Sequence, residues 1–231
     1  MAIKIQNTKD LDLNQVKCVI YGGPGVGKTR LIASAPTPII ASAEAGLLSL
    51  VENEVDYVEI TSMKDWDDFY KWAKSSNEAN NYETLGLDTL AEIAEVLVAE
   101  LIPQYKDGRQ AYKALADSMM PMLRKYRDLP NFHTVFTSKL IRVTPEEEGA
   151  QITEDLLMPG RVLGTQIPYL VDEYFKMEVD RKGNGLLQTK PSRVSFAKDR
   201  SGALDNPEQP DMSLIIQKIL NKRKLKNGST T

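Results

Sequence analysis

Eight consecutive residues, Gly22-Gly23-Pro24-Gly25-Val26-Gly27-Lys28-Thr29, bring three kinds of chemistry together. The glycines can turn successive backbone N–H groups into one concavity, a shape that holds a phosphate. Lys28 adds a compact positive charge suited to the β and γ oxygens of a nucleoside triphosphate. Thr29 adds a hydroxyl of the kind that coordinates Mg²⁺. The spacing is a glycine, four residues, then Gly-Lys-Thr, the phosphate-loop pattern. A helix starting at Lys28 would add its positive N-terminal end, with Arg30 as a further contact in its first turn.

Two carboxylates complete the chemistry. Asp88 ends the apolar run Leu85-Gly86-Leu87-Asp88, where it can hold Mg²⁺ through water beside Thr29. A helix N-cap aspartate is the alternative. Glu44 follows the run from Ile39 to Ala43 and is the candidate for orienting or deprotonating a water aimed at the γ-phosphate. A surface glutamate opening a helix remains the other reading.

These residues need strands and helices to position them. Val16 to Tyr21 is a short apolar, β-branched run ending at glycines, hence a strand, and Lys28 to Ala35 reads as a short helix stopped by Pro36 and Pro38. Strands are expected at Ile39–Ala43, Val55–Ile60, Tyr82–Asp88 and Phe132–Thr137. Helices are expected after Ser62, from Thr89 to about Leu101, from Arg109 to Arg127, and from near Asp211. Ser138 to Gly164 is long and polar. After it come a strand at Glu173–Val179, a hairpin turn at Asn184-Gly185, and strands near Leu186–Thr189 and Arg193–Ala197. Strands alternating with helices, then late strands, imply a largely parallel sheet with an antiparallel extension.

Composition narrows the classes. The 231 residues, 42% hydrophobic and 26% charged, suit one globular α/β domain. A net charge of −3 leaves no general basic footprint, so any nucleic-acid contact must be local. One histidine and one cysteine exclude the usual His/Cys zinc sites. Cys18 cannot form an internal disulfide and reads as core packing in a reducing cytoplasm. The start, Met1-Ala2-Ile3-Lys4-Ile5, lacks signal-peptide character, and no apolar run approaches the roughly 20 residues of a membrane span.

The phosphate loop after a strand, the strand ending in Ala43-Glu44-Ala45, the later strand ending in Asp88 and the late β-hairpins together resemble the RecA-like P-loop ATPases. Within that group they resemble compact phage nucleotide-binding proteins, AAA-type ATPases or single-strand annealing proteins related to RecA and RadA. The likeness runs from Val16 to Leu220. It implies one RecA-like ATPase domain over residues 1–220 with a flexible basic tail at 221–231. It also implies ATP and Mg²⁺ as ligands, ATP hydrolysis, single-stranded DNA as partner, and a homo-oligomer with an associated single-stranded-DNA-binding protein. The setting would be the cytoplasm, of the host where the chain is phage-encoded. ATP rather than GTP also fits the lack of an Asn-Lys-x-Asp guanine motif.

The resemblance carries roles with it. Gly22 to Thr29 would bind the triphosphate, with Lys28 catalytic, Glu44 the catalytic glutamate and Asp88 the Mg²⁺-linked aspartate. Ser138 would be the γ-phosphate sensor, leading into a mobile DNA loop from Lys139 to Gly164 with Lys139, Arg142 and Arg161 on DNA phosphates. Lys198 and Arg200 would reach into a neighbouring subunit's ATP site and stabilise charge on the transferring phosphoryl group. Plainer readings stay open: a solvated turn for Lys198 and Arg200, and ordinary surface charge for the loop cations, offset by Glu146 to Glu148, Glu154 and Asp155. Only about 15 residues precede the first strand, so no separate N-terminal polymerisation domain is expected. An ATP-switched protein-binding or remodelling module is the main alternative function. A small-molecule kinase is the lesser one, since the insert is acidic where kinases carry an arginine-rich lid.

Overall fold

The structure is a computed structural model that describes residues 14–44, 50–51, 53–144 and 151–228. The run Lys17-Cys18-Val19-Ile20-Tyr21-Gly22 forms β1 (Lys17–Gly22), with all but its first residue buried. A strand covered on both faces has no need of polar alternation. β2 (Pro38–Ser42) and β4 (Thr84–Asp88) are of the same kind, whereas β3 (Asp56–Glu59) is polar and lies at the sheet edge. β5 (His133–Val143) and β7 (Glu173–Val179) flank β1.

The sheet order is β3-β2-β4-β5-β1-β7-β8, and every neighbouring pair from β3 to β7 is parallel. β8 (Gly185–Gln188) and β9 (Lys198–Asp199) each pair antiparallel with β7, and β6 (Thr153–Leu157) pairs antiparallel with β5. The fold is therefore the expected one: a mostly parallel α/β sheet with antiparallel additions.

Helices cover both faces. α2 (Met63–Ser75), α3 (Leu90–Leu101) and α4 (Gly108–Arg127) bury Trp66, Phe69, Leu97, Leu123 and Tyr126 against Leu85, Leu87 and Phe136. On the other face, α1 (Lys28–Ala33) and α6 (Met212–Gly228) bury Ile32, Ile215 and Ile219 against Ile20, Ile40, Val135 and Phe175. Ser62 caps α2 by accepting the Asp65 N–H. Gly86, which would weaken an isolated strand, has a packing reason: a Cβ there would lie 2.5 Å from Ile32 Cγ2. Its bareness lets α1 close onto β4.

Four expectations change. The stretch after Thr137 is not a free loop: β5 continues to Val143 and β6 returns beside it as a two-stranded ribbon, followed by α5 (Arg161–Gln166). The Glu146-Glu147-Glu148 run lies outside the described residues. The β7–β8 hairpin turns over residues 180–184 with its positive φ at Gly183, not at Asn184-Gly185, because the Asp180 carboxylate gathers the Lys182 and Asn184 N–H groups. The late strand is only Lys198–Asp199, although Ser195 bridges to Glu154. The supposed tail from Asn221 is helical as far as Gly228.

Candidate functional site

The loop between β1 and α1 stands at the carboxyl end of the parallel strands. Gly27 has φ of 103°, a left-handed value that a side chain would strain, and its carbonyl accepts the first helical bond from the Leu31 N–H at 2.9 Å. Lys28 Nζ curls back over the loop and donates to the Gly22 and Gly23 carbonyls at 3.1 and 2.9 Å. Burial pulls its pKa down, opposed by the charges of Asp88 and Glu44.

Thr29 Oγ1 donates to Asp88 Oδ2 at 2.7 Å, while Thr137 Oγ1 hydrogen-bonds Asp88 Oδ1. Asp88 is 1% exposed, and burial pushes its carboxyl up despite both hydroxyls. A buried carboxylate beside a threonine hydroxyl is a hard-oxygen pair that fits Mg²⁺ bound through water and phosphate. No cluster of three or more His, Cys, Asp or Glu suited to a metal occurs among the described residues. The fit therefore rests on Thr29 and Asp88.

Glu44 sits just past β2. Its backbone N–H donates to Ser42 Oγ at 3.1 Å, and its Oε1 accepts from Thr89 Oγ1 at 3.1 Å. Thr89, directly after Asp88, ties the end of β2 to the end of β4. A cavity of about 660 Å³ opens here, lined by Gly22, Lys28, Thr29, Glu44, Thr89 and Lys139 among others. Pro24, Gly25, Gly27 and exposed Arg30 also line it. Gly23 contributes its carbonyl to Lys28, and Val26 packs on the α1–α6 core.

The structure thus brings the loop, Glu44 and Asp88 together. It separates other expected site residues. Ser138 is buried on the far face of the sheet, donating to the Leu157 carbonyl at 2.8 Å, so it is Thr137 that reaches the Asp88 side. Lys139 is in the cavity wall, ion-paired with Glu92. Arg142 pairs with Glu154 at 2.8 Å across the ribbon, and Arg161 is exposed at the start of α5.

Lys198 and Arg200 lie toward the amino end of β7, where Lys198 is in register with Tyr174 and Asp199 with Glu173, while Gly22 is in register with Met177. Lys198 Nζ donates to the Pro168 carbonyl at 2.6 Å, and Arg200 pairs with Asp172 at 3.0 Å. Neither faces this chain's own phosphate loop. Thr89 and Thr137 were missed in the sequence. Thr89 could have been found as the hydroxyl after the strand-terminal aspartate; Thr137 needed the strand register.

A parallel sheet carrying a phosphate loop, a threonine–aspartate pair and a carboxylate in one cavity defines a P-loop nucleotide-binding protein. Residues 14–201 match the family described as an AAA domain, and the chain belongs to that family of P-loop ATPases. No curated protein matches. Among solved structures, the chain is similar to a prototypical ATPase from the type III secretion system of pathogenic bacteria. Identity is 15% and the TM-score 0.47, over 73% of this chain and 53% of that one. This chain therefore spans about half of that protein's length. Among the described residues, no helix is long and apolar enough to cross a membrane.

Proposed function

We propose that the chain hydrolyses ATP with Mg²⁺ and couples the reaction to single-stranded DNA, as an oligomer acting in phage DNA recombination or annealing. The observation that carries the ATPase reading is the Thr29–Asp88 hydrogen bond beside Lys28, inside a cavity that Glu44 also lines. Magnesium, held by Thr29 and through water by Asp88, would supply charge neutralisation at the phosphates. Lys28 releases the loop carbonyls and takes the β and γ oxygens. Glu44, oriented by Thr89, accepts the proton of a water whose oxygen attacks the γ-phosphorus. The bond to the β–γ bridging oxygen breaks, and ADP and phosphate leave.

Support for the DNA step is the RecA-like arrangement of the motifs, together with the ribbon that continues from Thr137 past the cavity. A second reading, an ATP-switched protein-binding module, is favoured by a specific observation. Lys139 and Arg142 are ion-paired with Glu92 and Glu154, while Ile141, Val143 and Ile152 of the ribbon region stay exposed. ATP turnover measured with and without single-stranded DNA at low salt, alongside molar mass by light scattering, separates the two. The DNA reading expects stimulation that fades steeply with salt and a mass above one chain. Turnover indifferent to DNA gives the module reading.

A further inference from the structure

Two basic stretches of the sequence do not reach the phosphate loop: the turn at Lys198 to Arg200 and the basic end of α6. They meet instead at the amino end of the sheet. Arg200 and Arg223, the latter on α6, line a cavity of about 470 Å³ there together with Lys17 and Arg127. Lys222 and Lys224 are exposed on either side of Arg223. A second cavity of about 270 Å³, lined by Arg124 of α4 and Gln166 of α5, opens beside the first. Arg127, Tyr169 and Leu170 belong to both walls, so the two cavities are halves of one surface with Tyr169 between them.

Tyr169 is 82% exposed, more than any other large apolar side chain among the described residues. Its backbone is nevertheless held. It closes the 3₁₀ turn Ile167–Tyr169, whose Ile167 and Pro168 are buried. A cation grips the carbonyl on each side of it: Lys198 Nζ donates to Pro168 at 2.6 Å and Arg127 to Leu170 at 3.1 Å. A ring presented by a fixed turn loses little freedom when a flat partner stacks on it.

Five cations line this surface (Lys17, Arg124, Arg127, Arg200 and Arg223) against two carboxylates, Asp128 and Asp172, in a chain of net charge −3. The carboxylates pair with Arg127 and Arg200 as exposed ion pairs, which hold weakly against a competing anion. A protein partner would want an apolar centre depleted of charge, whereas Leu129, Leu170 and Val171 are buried here. An exposed ring among cations suits unpaired bases instead: the ring stacks a base of any identity and the cations take the flanking phosphates. We propose that this surface, centred on Tyr169, is where the chain binds single-stranded DNA. That assignment rests on the reading of single-stranded DNA as a partner, and seats it at the end of the sheet opposite the nucleotide. β1 then joins the two ligands, with Lys17 at its start and Gly22 at its end.

Fluorescence anisotropy of a labelled thymidine oligonucleotide of about 20 nucleotides, without ATP and over a range of salt concentrations, tests this. Wild type should bind it with an affinity that falls steeply with salt. Tyr169→Ala should weaken binding about tenfold, the loss of one stacked base, and Tyr169→Phe should restore it. Arg124→Ala should weaken binding a few-fold and lower the slope of log affinity against log salt by about 0.7, the loss of one phosphate contact. A duplex of the same length should bind Tyr169→Ala and wild type equally, because paired bases offer no free face. Unchanged affinity in Tyr169→Ala, an equal loss on strand and duplex, or a loss confined to Arg142→Ala and Arg161→Ala overturns the proposal and leaves DNA as a partner. Displacement of the strand by thymidine monophosphate at the same nucleotide concentration also overturns it, giving the surface to a mononucleotide. Wild-type protein that binds no DNA at low salt overturns the proposal and the DNA reading together.

Discussion

Glu173, at the start of β7, is as deeply buried as Asp88, at the end of β4, and Lys17 opens β1 as Lys28 follows it. At the amino ends of the strands the basic groups are absorbed by the protein itself. Lys17 donates to the Leu129 and Phe132 carbonyls and to Thr134 Oγ1, and burial pulls its pKa down to about 8. His133 accepts the Val16 N–H at 2.9 Å, and burial drops its pKa to about 4. Arg127 is spent on Asp128 and the Leu170 carbonyl, and Arg200 on Asp172.

At the carboxyl ends the same residue types converge on one cavity. Lys28, Glu44, Thr89 and Lys139 line it, and Asp88 stands behind Thr29. A cavity of about 470 Å³ exists at the amino end as well, with Lys17, Arg127 and Arg200 in its wall, so volume and charge alone do not separate the two. The separating feature is where the polar atoms are directed: into carbonyls and carboxylates at one end, around a shared space at the other. Perturbed pKa values occur at both ends and mark a site only in company with such geometry.

The contrast breaks most sharply at Lys28. Lys28→Ala should weaken ATP binding about 10²-fold or more by calorimetry, since it removes the charge that meets the β and γ oxygens. Binding retained at wild-type strength would move the nucleotide elsewhere. Glu44→Gln should cut turnover by about 10²-fold to 10⁴-fold with binding little changed, as expected for loss of a general base. Equal hydrolysis by the two proteins would place the base on another residue.

A smaller effect sharpens the assignment of faces. Thr137→Val removes a hydroxyl from Asp88 and should weaken Mg²⁺-dependent turnover about tenfold, as lost support of a metal-linked carboxylate does. Ser138→Ala, on the other face, should turn over ATP as wild type does. The reverse ranking would restore Ser138 as the sensor.

The smallest effect belongs to the amino end and is one of stability. Burial and Asp199 push the Glu173 carboxyl up to about 8, from an ordinary value of 4.5, and among the described residues its Oε2 has no hydrogen-bond partner. Its folded value lies above the unfolded one, so its contribution is intact below about pH 4.5 and is lost as pH rises through about 8. Glu173→Gln should therefore melt several degrees above wild type at pH 9, close to wild type at pH 4, and hydrolyse ATP normally. A turnover defect would show that the amino end takes part in the chemistry.

How legible these residues were depended on how local their signals are. The phosphate loop is contiguous, and Asp88 and Glu44 close short apolar runs, so each could be read from its own segment. The helices carry apolar stripes that give their period away. Thr137 and Lys139 could not be assigned in the same way, because strand side chains alternate faces and an error of one residue exchanges Thr137 for Ser138. The ribbon was hidden for a related reason. Lys139-Leu140-Ile141-Arg142-Val143 lacks strict two-residue alternation and is little buried, so it gives no clear strand signal until β6 is seen beside it.

On this reading the carboxyl ends of β1, β4 and β5 hold the nucleotide and the amino ends do not. Amide hydrogen exchange with and without Mg²⁺ and the imido analogue of ATP tests both halves at once. Slowed exchange over residues 22–30 and 137–141, with residues 127–134 and 170–174 unchanged, is the predicted result. Slowing confined to the amino-end segments, or absent from residues 22–30 at saturating nucleotide, would contradict it.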